Sequence, residues 1–224
     1  MNDKITKGYY VLETELAVLF ALQKIENLYV IQLECAESMT KEQLYRTVFN
    51  LLKKGFVVQQ DKTGACLVTE DMKHWLVTIG RAEHFWVYAD RDELIPESYF
   101  YNWNNEVVWI QDGSINGSQL CIHEINKREM LELFTQWGVP MLDETNCAVE
   151  EDFLQEIGVY YGQSKEQLLQ QSEIKAVVQE FNVKSHSKEQ QILKLQRGLD
   201  QYIICSNAER SWGTPVKEGG EDEA

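Results

Sequence analysis

Between positions 82 and 137, apolar and polar residues first alternate with a period of two and then recur at helical spacing. In 82–89, His84, Trp86 and Tyr88 fall on one side, Phe85 and Val87 on the other. In 99–103, Tyr99, Tyr101 and Trp103 share a face. In 106–111, Val107 and Trp109 oppose Val108 and Ile110. Such alternation predicts strands. Asn104-Asn105 separates two of the runs, and asparagine tolerates positive φ, so a tight hairpin is predicted there. Asp112-Gly113 and Asn116-Gly117 punctuate the next turn, and 120–122 continues the meander. Met130, Leu131, Phe134 and Trp137 then recur as on a helix that Gly138 and Pro140 end. One sheet face is mainly aliphatic. The other is rich in Trp and Tyr, whose polar atoms need a partner or water. Helices cover that aromatic face, or part of it is a partner surface.

The residues on either side follow the same two periods. A short strand is predicted over 8–12, a helix over 13–25 with Leu16, Leu19, Phe20 and Gln23 on one stripe, and an extended segment over 29–33. Thr40-Lys-Glu-Gln43 has the form of a capping box and opens a helix through Lys54, with Leu44, Val48, Leu51 and Leu52 as its apolar stripe and Gly55 as its stop. A hairpin over 56–68 turns at Lys62-Thr-Gly64, and Thr69 caps a third helix over 70–79. Two short helices are predicted over 149–161 and 164–171, the second opened by Ser164 and Gln167. From 174 the period returns to two, giving strands over 174–183, 191–195 and 201–205, with His186 and Gly198 near the turns.

The fold class is therefore α+β: antiparallel β-meanders with helices packed on them, in a quasi-repeated two-half plan. The expected division is 1–140, 141–210 and a disordered acidic tail over 211–224. The helix, hairpin, helix order of 40–79 is winged-helix-like. Its first helix exposes Lys41, Glu42, Arg46 and Asn50, which is no basic cluster.

Charge and composition narrow the function classes. The net charge is −15 and the pI near 4.7, which disfavours nucleic acid and anionic membranes as partners. No apolar run approaches the roughly 20 residues of a membrane span, and Met-Asn-Asp-Lys opens no signal peptide. Hydrophobic content of 44% suits a packed core. Cys35, Cys66, Cys121, Cys147 and Cys205 are scattered, without the spacing of a structural zinc site. They suit a reducing cytoplasm. His74, His84, His123 and His186 stand apart in the sequence. No nucleophile elbow, phosphate loop or dinucleotide motif is present. No catalytic residue, metal or cofactor is expected, and the chain is not expected to be an enzyme.

Several short motifs together resemble the EspG-type chaperones of ESX (type VII) secretion. They are Glu15-Leu16-Ala-Val-Leu19 after a short strand, Thr40-Lys-Glu42 with Leu51-Leu52-Lys-Lys-Gly55-Phe56, and Arg197-Gly198-Leu-Asp200-Gln-Tyr202 on a late strand. The resemblance runs from about 8 to 207. It departs in the second half, where the family adds a further strand and helix and this chain has only an acidic tail. The resemblance implies a cytosolic, non-enzymatic chaperone that holds helical secretion substrates before export. The family's mycobacterial substrates are PE–PPE pairs. The abundance of Lys, Gln and Asn is that of a low-GC Gram-positive protein, for which an LXG-type or small helical-hairpin client is expected. The other readings are a winged-helix-type transcriptional regulator and another protein-interaction module.

Two surfaces are candidates for the client. The loop 90–98 carries Asp90, Asp92, Glu93 and Glu97 around Leu94, Ile95 and Pro96, with Trp86, Tyr101 and Trp103 on the aromatic face beside it. An apolar tip with an acidic rim suits an amphipathic basic helix. Alternatively, Leu94 and Ile95 tuck back onto the sheet. The second candidate is the acidic connection with Glu150, Glu151 and Asp152, in a stretch without a basic residue from 129 to 164.

Overall fold

The computed structural model describes residues 8–25, 39–60, 62–112, 119–139, 155–156 and 163–216. The segments predicted over 29–33 and 149–161, the turn at 113–118, and Glu150, Glu151 and Asp152 lie wholly or mostly outside them. Against the expected division near 140, the chain gathers into two compact units. Unit 1 is Met1–Glu83 with Phe100–Asn126, and unit 2 is His84–Tyr99 with Lys127–Ala224.

Unit 1 begins with β1 (Gly8–Leu12) and α1 (Glu13–Gln23). α1 buries Leu16, Ala17, Val18, Leu19 and Phe20, more than one stripe, as expected of a helix enclosed by its neighbours. Those neighbours are α2 (Lys41–Lys54) and α3 (Glu70–Arg81). The capping box of α2 is reciprocal: Thr40 N donates to Gln43 Oε1 at 2.8 Å, and Gln43 N to Thr40 Oγ1 at 3.2 Å. Gly55 ends the helix at φ 73°, in the left-handed region that favours glycine. Between α2 and α3, β2 (Val57–Gln59) and β3 (Cys66–Val68) form the expected hairpin. Thr69 departs from its expected role: its hydroxyl donates to the Phe56 carbonyl at 3.2 Å, tying the hairpin closed, and makes no cap bond to α3.

The strands of unit 1 are β5 (Ser98–Trp103, in this unit from Phe100), β6 (Glu106–Asp112) and β7 (Gln119–Asn126), with β1 beside β7. Asn104 sits at φ 58° in the predicted tight turn. The amide of Asn102 donates to the carbonyls of Asn104 and Glu106, fixing that turn from below.

Unit 2 is built on β4 (His84–Asp90), β8 (Ile174–Asn182), β9 (Ser187–Arg197), β10 (Asp200–Asn207) and β11 (Ser211–Val216), antiparallel and in that spatial order. Within this unit the late strands pair with β4 through β8. Two helices cover this sheet. α4 (Lys127–Gln136) lies over Tyr88, whose ring is 6.4 Å from that of Phe134 and 4.6 Å from that of Trp137, just past the helix end. α5 (Lys165–Leu169), opened by the Ser164–Gln167 box, packs Leu168 with Ile174, Val177, Leu193, Leu195 and Ile204. Phe85 stacks on Phe181 across the strands at 4.8 Å.

β11 corrects the sequence reading at both places where it bears. Six residues of the expected tail, Ser211–Val216, pair with β10, and Trp212 is 3% exposed. The second half therefore has a strand where only an acidic tail was expected. Pro215 is tolerated because β11 ends the strand order and need not donate to a neighbour beyond it.

Candidate partner-binding surface

β4 delivers the chain into the loop 91–97 at one end of unit 2. Asp90 begins the turn: its carboxylate accepts from Asp92 N at 3.1 Å and its carbonyl from Glu93 N at 3.3 Å, with Glu93 at φ 53°. Arg91 anchors the loop to the sheet. Its backbone N donates to the Lys175 carbonyl at 2.9 Å, and its guanidinium donates to the Ser172 carbonyl and to Asp92 Oδ1. At the far side, Ser98 Oγ donates to the Pro96 carbonyl. The loop is therefore pinned at both ends by its own polar groups.

That leaves the apolar tip outside. Leu94 is 82% exposed, the highest among the described large hydrophobics after Leu199, and Ile95 is half-buried. Leu94 does not tuck back onto the sheet. The acidic rim differs from expectation. Asp92 lies against Arg91 at 3.2 Å and Lys175 at 3.9 Å, and Glu97 pairs with Lys165 and accepts the Tyr99 hydroxyl. Two of the four rim carboxylates are neutralised within the unit, while Glu93 and Leu94 face solvent.

The aromatic residues expected beside the loop do not form an open face. Trp86 and Tyr101 are each 2% exposed. On β4, Tyr88 lies under α4 and Phe85 stacks on Phe181 of the neighbouring strand. Burial also pushes the phenols of Tyr88 and Tyr101 well above their ordinary value, so both stay protonated. Trp103, in unit 1, is half-buried beneath the Arg81 guanidinium at 4.8 Å.

An apolar surface that the periodicity did not single out lies on α2. Leu51 is fully buried, but Leu44, expected on the buried stripe, is 43% exposed, and Tyr45 is 75% and Phe49 66% exposed. Tyr45 and Phe49 are one helical turn apart on a side where the sequence reading placed polar residues, and that i, i+4 aromatic pair was the available signal. Val58 and Leu67, a directly opposed pair on the hairpin, are also exposed.

Among the described residues, the Cys121–His123 contact is the arrangement nearest to a nucleophile with its base. Sγ lies 3.0 Å from Nε2. Burial pushes the thiol up and the imidazole down, the neutral pair rather than thiolate and imidazolium. Trp109 stacks on His123 at 4.7 Å, and Cys121 is buried.

No helix among the described residues is long and apolar enough to cross a membrane. No family model matches the sequence, and no curated protein does. Among solved structures, the Mycobacterium tuberculosis type VII secretion system chaperone EspG5, in complex with a PE25–PPE41 dimer, matches with a TM-score of 0.53. The identity is 13%, over 93% of this chain and 90% of that one. At that identity the likeness is one of fold, and the chain has an α+β, EspG-like fold.

Proposed function

We propose that this protein is a non-enzymatic cytosolic chaperone that binds a helical type VII secretion substrate before export. The observation that carries the proposal is the fold likeness, over nearly the whole length of both chains, to a chaperone whose structure holds a PE25–PPE41 dimer. The LXG-type or small helical-hairpin identity of the client rests on this chain's composition.

The client surface in this account is the tip of the loop 91–97. Leu94 supplies a solvent-exposed apolar anchor on a backbone fixed by Arg91 and Ser98, so docking costs little ordering of the loop. Glu93 adds an outward carboxylate for a basic helix. Asp92 and Glu97 act inward and hold the loop rather than steer the client. Trp86 and Tyr101 support the sheet and make no client contact. Glu150, Glu151 and Asp152 remain the second candidate by charge alone.

The exposed Leu44, Tyr45 and Phe49 face of α2 favours a second reading, in which the client docks there.

Co-expression with a small helical-hairpin or LXG-type protein encoded beside it tests the proposal. A discrete complex by size-exclusion chromatography with light scattering is expected. Independent elution of both proteins, each folded, would contradict it.

A further inference from the structure

We propose that His84, Glu180 and Glu189 form a binding site for a divalent cation of the zinc class. The three residues come from neighbouring strands of unit 2: His84 opens β4, Glu180 lies near the end of β8, and Glu189 near the start of β9. His84 Nδ1 is 2.8 Å from Glu189 Oε2 and 3.5 Å from Glu180 Oε1, and one donor atom from each residue lies within 4.8 Å of the others. Donors held about 2.1 Å from a tetrahedral zinc ion stand roughly 3.4 Å apart. Both His84 distances lie close to that spacing. One imidazole with two carboxylates suits zinc-class metals, whereas magnesium and calcium take oxygen ligands.

The backbone is deformed to make this arrangement. Gln190 is opposite Glu180 and Lys188 opposite Phe181, which leaves Glu189 as the extra residue of a β-bulge. In a regular ladder Glu189 would face away from Gln190, and so away from Glu180 and His84. The bulge turns it back to their side. Bulges re-aim single side chains in this way, often at functional sites.

The surrounding groups act as supports for metal ligands. Asn182 Nδ2 donates to Glu189 Oε1 at 2.8 Å, orienting the carboxylate so that Oε2 faces His84. Trp86, 2% exposed, is opposite Glu180 across the strands. Its indole N–H has no well-aligned acceptor. Burial raises the Glu180 pKa, which the nearby Trp86 N–H offsets only in part. The His84 ring stacks on Trp86 at 6.3 Å, which fixes the imidazole plane. Nδ1 of His84 is buried and makes no well-aligned hydrogen bond, although a carboxylate oxygen is 2.8 Å away. Two atoms that share a cation need not align with each other, whereas an N–H donor must. Among the described residues, the Lys127 ammonium acts on Glu180 and lies over Trp86 at 5.9 Å. A dication would neutralise both carboxylates and tie β4, β8 and β9 together.

Chelator-treated full-length protein, titrated with zinc chloride in competition with a chromophoric chelator, tests the site. One equivalent should bind. Glu189→Gln should weaken binding by at least about tenfold, and Asn182→Ala, which removes only a supporting donor, by about tenfold. His84→Phe should abolish it. Zinc should raise the melting temperature of the wild type and not of His84→Phe. Absence of stoichiometric binding overturns the proposal. So does binding that Glu189→Gln and Asn182→Ala, both folded by circular dichroism, leave unchanged, since the zinc would then sit on thiols elsewhere.

Discussion

Lys54 Nζ lies 2.6 Å from Glu15 Oε2, and Glu15 is 1% exposed. The same oxygen accepts from Leu12 N at 2.9 Å, and Lys54 also donates to the Tyr10 carbonyl at 3.2 Å. One ion pair therefore joins the β1–α1 junction to the last turn of α2. Lys54→Met should destabilise the protein by about 2 kcal/mol, below the usual cost of stranding a buried charge because Lys54 is 36% exposed. Lys54→Met with Glu15→Gln should recover part of the loss. A double-mutant cycle by urea denaturation checks both; additive losses would show that the pair is not coupled.

His123 should make the protein acid-sensitive. Burial lowers its pKa below the ordinary value of 6.5. Between that value and the lower folded one, the unfolded chain binds more protons than the native chain, so stability falls as pH falls through the window. His123→Phe keeps a ring against Trp109 and removes the titration. Its stability difference between pH 7.5 and pH 5.5 should be smaller than that of the wild type in urea denaturation. An equal or larger difference would contradict the assignment.

Gly138 ends α4 at φ 73°, and a Cβ there would meet the Lys194 ammonium at 2.5 Å. The lysine end can move aside, but the backbone strain stays. Gly138→Ala should cost about 1 kcal/mol, whereas an unchanged melting temperature would mean that the helix end relaxes into another conformation.

Much of this fold was legible in the sequence because its signals are local. The period-two runs became β4 to β10, the Thr40–Gln43 and Ser164–Gln167 boxes opened their helices, and Gly55 and Asn104 took the positive φ expected of them. What was not legible depends on distant neighbours. Gly213 and Pro215 read as tail until β10 supplies a partner for Ser211–Val216, and the overlooked cue was Trp212. Alternation placed Trp86 and Tyr88 on one face but could not say that α4 covers Tyr88. Glu189 reaches His84 only through a bulge, which leaves no mark in a spacing. In the loop 91–97 the sequence showed which groups were present. Whether Asp92 and Glu97 turn inward depended on Lys175 and Lys165, far along the chain.

The tip of that loop and the exposed face of α2 make opposite predictions for the same assay. Tyr45→Ser with Phe49→Ser removes exposed apolar area and should leave both stability and client binding within about threefold of wild type. If client binding is lost while the fold is kept, the client docks on α2 instead.

The most direct measurement is the affinity of the co-expressed helical client for Leu94→Ser/Ile95→Ser, set against the melting temperature of the same variant. Leu94 is exposed and Ile95 half-buried, so the account predicts a small change in melting temperature with at least about a tenfold loss of binding. A folded double variant that binds its client as tightly as the wild type would contradict it.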